Sequence, residues 1–451
     1  MSTYSALNAT RARHLENALQ LFETSRVSPD AFYPLDLFLR KYFRAHKHVK
    51  HDDKRFISEH IYELVKWRGL LDLVGGHPFR WHHRMQTYFI SQRWKDQQLA
   101  ARKITAAAKV GFSEELFGSI AKAVAFSASP GGGATASSEV LADTSIADLV
   151  EVDHQQHPFG SGRTPSSAST SSSRTRPNSV DPAVERKAQA LCNVLSEKPV
   201  WFLRVNPLRK TRKEVYEALL AKEIPVEMCK HSDLGLLLHD GAAKSKLLTL
   251  PERHQGWFEF QDESSQLMAM EVQAQPGDKV LDYCSGSGGK ALIYGPRMRN
   301  SGNIFLHDIR DTVLRDAKVR MRRAGIRNYS LLPPSHPTLE TLLGKCDWVV
   351  VDAPNSAIGA LRKNPDMKWS FSEDKLLAWV GKQRAIFESS LKYVKVGGKI
   401  VYMVNSFFPE ECAKQVEYFC EKYNLYLSSE PKHALPQSKG LDGFFCAILE
   451  K

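Results

Sequence analysis

Strands alternate with helices from residue 259 to residue 451, and that rhythm restricts the fold more than any other feature of the chain. Short runs rich in Val and Ile at 279–282, 303–307, 348–352 and 399–404 are separated by helical patterns, notably 312–324, 373–394 and 410–423. Strands joined through helices pair in parallel, and a parallel sheet has to be covered on both faces. The expected class is α/β, with a Rossmann-like domain built on a mostly parallel sheet.

The run 279–282 leads directly into Cys284-Ser285-Gly286-Ser287-Gly288-Gly289-Lys290, and a helix follows. Glycines allow a tight turn and a close backbone approach to a ligand, and a helix start offers free amides. About 20 residues beyond the loop, the second strand ends at His307-Asp308. An acid there accepts hydrogen bonds from a ribose diol. A glycine-rich loop alone is a weak signal, since many are plain turns. Joined to the strand, the helix and the spaced acid, it points to a dinucleotide or to S-adenosylmethionine.

Upstream, the 451 residues exceed one ordinary core. The expected division is a helical domain over 1–126, a disordered linker over 127–181, a small α+β module over 182–258, and the Rossmann-like domain over 259–451. The helical patterns run over 32–43 and 56–73, where Ile57, Ile61, Leu64 and Val65 form one apolar stripe. Arg40, Lys41, Arg44, Lys47, Lys50, Lys54 and Arg55 load the connection between them with positive charge. A basic-aromatic tract follows, with Phe79, Arg80, Trp81, His82, His83 and Arg84, then Arg93, Trp94 and Lys95. Such interleaving pairs phosphates and stacks bases, although a solvated helix face with aromatics turned inward gives the same pattern. Residues 127–181 open on Pro130-Gly131-Gly132-Gly133 and include a run of Ser, Ala and Thr over 166–173. They bury too little apolar surface to offset chain entropy. In the small module a strand is expected over 201–205. A helix is expected from Thr211 to Lys222, with Thr211 capping it and Glu214 three residues on.

The seven cysteines, Cys192, Cys229, Cys284, Cys346, Cys412, Cys420 and Cys446, form no CxxC pair and have no His neighbours in a zinc pattern. They read as reduced, intracellular thiols, and no metal is expected. A net charge of +12 favours a polyanionic partner. No apolar run is long enough to suggest a membrane span. The segment from Ser2 to Leu15 carries Arg11 and Arg13 with no acid before Glu16. It suits a mitochondrial transit segment and equally an ordinary helix start; nucleolus or cytoplasm are the other compartments expected.

At this point the local wording becomes specific. Gln261-Asp262-Glu263-Ser264-Ser265-Gln266-Leu267 ahead of the loop, the loop itself, and Asp352-Ala353-Pro354 with Ser356, Gly359, Arg362, Pro365-Asp366 and Lys368-Trp369 resemble ordered motifs of the RsmB/Sun-type RNA cytosine-5 methyltransferase family. Val401-Tyr402, Ser406, Pro409-Glu410-Glu411 and Asp442-Gly443-Phe444-Phe445 continue the likeness to the closing strand. Upstream, 201–208 is similar to the start of that family's RNA-recognition module. Residues 52–71 resemble its NusB-like helical domain. The resemblance implies S-adenosylmethionine as cofactor, held by Cys284, Ser285, Gly286, Ser287, Gly288, Gly289, Lys290, Asp308 and Asp352. It also implies an RNA partner, ribosomal in kind, with Arg204, Arg209, Lys210, Arg362, Lys363 and Lys368 expected to contact phosphates. Ribosome-assembly proteins are further expected partners.

In such enzymes one cysteine thiolate attacks carbon 6 of cytosine, and a second cysteine assists release of the adduct. Thiolates suit this work as strong nucleophiles at an accessible pKa. Here Asn405 stands at the nucleophile position and Asn355 at the releasing position, and a carboxamide forms no such adduct. The chain therefore reads as a degenerate member with no confident catalytic residue, retaining Asp352. Gly286, Ser287 and Ala291 replace the usual Ala, Pro and Thr of the loop. Pro333-Pro334-Ser335-His336 replaces the acid expected toward the adenine, so weakened cofactor binding is expected. Three readings stay open: a non-catalytic RNA-binding assembly factor, a methyltransferase acting on another atom without cysteine, and a protein scaffold.

Overall fold

The computed structural model describes residues 9–25, 35–68, 71, 81, 84, 85, 88, 112–127, 181–239, 241 and 243–451. Most of the basic-aromatic tract, nearly all of 127–181 and the start of the segment from Ser2 to Leu15 lie outside these residues. Within the tract, Trp81 and Arg84 are described. Both are buried, and the Arg84 guanidinium lies 4.6 Å from the Trp81 ring centroid. For these two, the expected phosphate and base contacts give way to a core packing role.

Three helices, α1 (Ala9–Thr24), α2 (Leu35–Ala45) and α3 (His51–Lys66), pack through Leu15, Leu19, Phe38, Ile57, Ile61 and Leu64. The Ile57, Ile61, Leu64 stripe faces inward as its spacing predicts, while Arg40, Lys41, Arg44, Lys47 and Lys50 are exposed. Two further helices, Glu114–Ser127 and Pro182–Leu195, pack against each other and against Ile358, Leu361 and Phe407 of the last domain.

The small module is a four-stranded antiparallel sheet in the order β2-β3-β1-β4, with β1 at Trp201–Val205, β2 at Val226–Met228, β3 at Gly235–Leu238 and β4 at Phe258–Phe260. Its helix Arg212–Leu220 starts with the expected capping box. The Thr211 side chain accepts from the Glu214 amide, and the Glu214 carboxylate accepts from the Thr211 amide at 2.8 Å.

The last domain carries β5 (Lys279–Asp282), β6 (Asn303–His307), β7 (Tyr329–Leu332), β8 (Cys346–Asp352), β9 (Val394–Val404), β10 (Tyr426–Leu427), β11 (Lys432–Ala434) and β12 (Phe444–Glu450). The order is β10-β12-β9-β8-β5-β6-β7, with β11 also on β12. Strands β5 to β9 run parallel and β12 runs antiparallel to β9. The strand order reverses between β5 and β8. A crevice opens beyond the carboxyl ends of strands at such a switch point.

Strand β8 begins at Cys346, earlier than 348, because pairing with β9 continues across a register shift between Cys346 and Trp348. The predicted helix 410–423 begins only at Ala413, since Glu411 is turned inward as a buried acceptor. Strand β7, with Tyr and Ser among its four residues, lies at the sheet edge and lacks the apolar pattern of its neighbours.

The last domain meets the helical region around Lys368, which is 0% exposed. Its Nζ lies 4.3 Å from the Phe112 ring centroid and 5.6 Å from that of Trp67. The expected phosphate contact at Lys368 is thereby corrected, because no solvent-facing surface remains. Burial, helped by nearby Lys66, pulls the ammonium down to about 7 from an ordinary lysine value of 10.5. Between those values the unfolded chain binds the proton and the folded chain does not, so stability rises with pH across that window. Lys368→Met is expected to raise stability at pH 7 by roughly 1–3 kcal/mol and to flatten the rise, read by urea unfolding at pH 7 and pH 9. An unchanged pH profile would contradict a buried, largely neutral amine.

Candidate active site

The crevice is built first from the loop after β5. The Tyr283 amide donates to the Val350 carbonyl at 2.9 Å and the Ser285 amide to the His307 carbonyl at 2.9 Å, so the loop is laced to β8 and β6. Gly286 and Gly288 have φ of 51° and 74°, a region that favours glycine. A Cβ on Gly288 would lie 3.3 Å from Met321 and 3.5 Å from Ala317, both on the helix Asp311–Ala324. From that helix, Arg320 donates to the Ser287 carbonyl at 3.0 Å and to its hydroxyl at 2.7 Å. Sequence reasoning missed this clamp, although Arg320 lies between Ala317 and Met321 along the helix.

Three acids surround the loop. Asp308 is 5% exposed and accepts from the Gly286 amide at 2.9 Å and from Arg310 at 3.0 and 3.1 Å. Burial alone would raise its pKa, but the Arg310 guanidinium and the backbone amides outweigh it and hold the carboxyl below its usual range. Asp282 is buried, accepts from the Tyr294 hydroxyl at 2.9 Å, and is pushed up to about 7 by burial. Asp352, at the end of β8, is ion-paired with Lys290. Thus Lys290, Asp308, Asp352 and the loop from Cys284 to Gly289 are brought together at one end of the sheet.

Asn355 and Asn405 leave the sheet at that same edge, since Asp352 pairs with Met403 in parallel register. They differ in employment. The Asn355 amide donates to the Ala353 carbonyl at 2.8 Å and its carbonyl accepts from the Ala357 amide at 2.7 Å, which fixes the turn after Pro354. The Asn405 backbone carbonyl accepts from Gly359 at 3.1 Å, whereas its half-buried carboxamide has no partner among the described residues. Below them, buried Glu411 accepts from the Ser356 amide at 2.8 Å, the Ser356 hydroxyl at 2.5 Å and Gln383 at 2.9 Å. Tyr402 donates to the Glu411 carbonyl at 2.8 Å. This network, which sequence reasoning did not anticipate, ties the two asparagine-bearing segments together.

No thiol is poised for nucleophilic attack. Cys412 is buried at the start of the helix Ala413–Tyr423, donates to the Ser406 carbonyl at 3.5 Å, and is raised well above its usual pKa by burial and then by Glu411. Cys284 is half-buried and raised by burial and then by Asp282, Asp352 and Asp308. Burial raises the other five as well.

The basic residues expected on RNA divide sharply. Arg204 is 1% exposed, and Arg362 at 3% donates to Asp442 at 2.7 Å and to the carbonyls of Gln437, Gly440 and Leu441 at 2.8–2.9 Å. The expected phosphate contacts at Arg204 and Arg362 are corrected accordingly: burial removes Arg204 from solvent, although its Nε and one terminal nitrogen find no acceptor among the described residues, and internal acceptors take up Arg362. Lys363 bridges Asp262 and Asp442. Lys210 pairs with Glu214 at 2.8 Å beside the Trp257 ring, and Arg209 is exposed.

The sheet order, the glycine loop and the acid-lined crevice define a Rossmann-like methyltransferase domain. Comparison with known proteins agrees. Residues 269–450 match the 16S rRNA methyltransferase RsmB/F family and residues 180–243 match the RsmF/B-like ferredoxin-like domain. Ribosomal RNA small subunit methyltransferase B of Pectobacterium carotovorum is 31% identical over 271 residues, 58% of this chain and 62% of that protein. The Vibrio cholerae protein of the same name is 30% identical over 265 residues, 57% of this chain and 59% of that one. The chain thus spans less than two thirds of the length of the relatives it matches. Among solved structures, PH0851 superposes with a TM-score of 0.64 at 20% identity over 99% of both chains. NSun6 from Pyrococcus horikoshii with SFG gives 0.53 at 18%, over 59% of this chain and 95% of that one. These two likenesses concern the fold. The chain belongs to the RsmB/F methyltransferase family.

Iodoacetamide at pH 7.5 is expected to label only Cys284 and Cys420 in the native protein, more slowly than a free thiol, and all seven cysteines after unfolding. Peptide mapping would read this directly. Rapid labelling of any cysteine would reveal a thiolate at odds with the geometry.

Proposed function

We propose that this chain is an RNA-binding member of the family that does not carry out covalent cytosine-5 methylation and acts in assembly of the small ribosomal subunit. One observation carries the reading. Asn355 and Asn405 stand at the two cysteine positions, and every described cysteine has its pKa raised. A carboxamide nitrogen shares its lone pair with the carbonyl, so neither asparagine adds to carbon 6 of a pyrimidine. Small-subunit rRNA is the RNA class suggested by the named relatives, and the net charge of +12 suits it.

The crevice suits S-adenosylmethionine, as the Ser285 hydroxyl and one Asp282 oxygen are buried at the loop without partners among the described residues. Asp308 would take the ribose diol and the loop amides would lie against the cofactor, which when bound supplies an electrophilic methyl group. Binding is weaker than is usual for the fold. Arg310 already covers Asp308, and residues 333–336 offer no acid to the adenine. The intact Lys290–Asp352 ion pair is the one feature that favours the second reading, methyl transfer to a different atom without a covalent adduct. The helical region is read as a further surface for assembly proteins.

The test uses purified protein, a small-subunit rRNA transcript and methyl-labelled S-adenosylmethionine, with nucleoside analysis of the product. No 5-methylcytidine is expected, and calorimetry is expected to show weak cofactor binding that Asp308→Ala reduces at least tenfold. Label on a different nucleoside atom supports the second reading. Formation of 5-methylcytidine that depends on Asp352 overturns the proposal.

A further inference from the structure

The helix Asp311–Ala324 carries Arg315, Lys318 and Arg322 at spacings of three and four residues, which places them on one face. Its C-terminal end closes on Gly325 at φ 85°, and Arg327 and Tyr329 then lead into the edge strand β7. Together with Arg209 from the small module, Lys318, Arg322, Arg327 and Tyr329 line an open groove of about 860 Å³ with no acid along its walls. All four cations are exposed. Among the described residues, the side chains of Lys318, Arg322 and Arg327 make no ion pair or hydrogen bond. Exposed cations on other helices are neutralised by neighbouring acids, as in Arg55–Glu59 and Lys213–Glu217.

Arg209 is also positioned. It donates to the Arg323 carbonyl at 3.1 Å, and its guanidinium lies where a Cβ on residue 325 would meet it at 3.2 Å. The absent side chain of Gly325 lets Arg209 lie across the module boundary and complete the groove. Tyr329 sits at the amino end of its parallel strand, whereas Asp282, Asp308 and Asp352 lie at the carboxyl ends. Tyr329 thus marks the amino end of the sheet, while Lys318 and Arg322 share their helix with Ala317, Arg320 and Met321, which approach the cofactor loop.

We infer that this groove is a second binding site, lined by residues other than those of the crevice, for the sugar-phosphate backbone of RNA. Four clustered cations with one aromatic side chain suit phosphates flanking a nucleotide, and such contacts carry affinity without sequence choice. Backbone bound here anchors an RNA independently of the nucleotide presented to the crevice. The inference rests on the RNA-binding reading above.

The test measures anisotropy of a fluorescein-labelled 30-nucleotide single-stranded RNA of random sequence against the full chain over 50–300 mM salt. The triple variant Lys318→Ala, Arg322→Ala, Arg327→Ala is expected to bind roughly 10- to 100-fold more weakly, with a salt slope shallower by about 2. A control triple, Arg186→Ala, Lys187→Ala, Lys198→Ala, removes equal exposed charge elsewhere and is expected to change affinity less than threefold. Arg322→Ala alone, expected to lose about three- to tenfold, serves if the triple variant does not fold. Equal loss in the groove and control variants overturns the inference while leaving RNA binding intact, and absence of RNA binding by the unaltered chain overturns both. Displacement of the RNA by poly-glutamate at matched charge would assign the groove to an acidic polypeptide and also overturns it.

Discussion

The junction around residues 261–266 holds the two C-terminal domains to one another and to the closing strand. Asp262 caps the helix Glu263–Met270 and pairs with Lys363. Glu263 accepts from the His231 and Ser232 amides at 3.0 and 2.9 Å, reaching into the small module. Ser264 donates to the Asp442 carbonyl at 2.8 Å, and Gln266 bonds Ser232 at 2.7 Å. Lys363 and Arg362 close the knot on Asp442. Breaking one partner of such a buried charge set costs about 3–5 kcal/mol, because the other is left uncompensated. The segment 261–266 is therefore an architectural pin between the two domains, separate from the residues that line the crevice.

That separation accounts for the state of the crevice. Glu411, Gln383, Tyr402 and Ser356 hold the segments after β8 and β9 in place, and none of these contacts needs a thiol. The scaffold stands with asparagine at 355 and 405 because these contacts hold both segments without sulfur. The result is an acid-lined crevice with a Lys290–Asp352 pair and, at Asn405, a carboxamide without a partner among the described residues.

Much of the fold was legible in the sequence because its signals are local. Thr211 and Glu214 sit three residues apart, and the strand, glycine loop and Asp308 follow one another along the chain. Edge strand β7 and the true helix start at Ala413 were not, since partners far along the chain decide them. The same holds for charge. Arg362 and Lys368 look like surface cations from sequence alone, yet acceptors about 80 residues away bury the first and aromatic rings from the helical region bury the second. Conversely, Arg322 and Arg327 look ordinary in sequence and gain meaning only when folding brings Arg209 beside them.

Covalent trapping addresses the central claim most directly. RNA carrying 5-fluorocytidine retains any cysteine adduct formed at carbon 6 after methyl transfer, because the fluorine cannot leave as the proton would. Incubated with such a small-subunit rRNA transcript and S-adenosylmethionine, this protein should run at its unmodified mass on a denaturing gel. A stable protein–RNA band that maps to a cysteine would contradict the account.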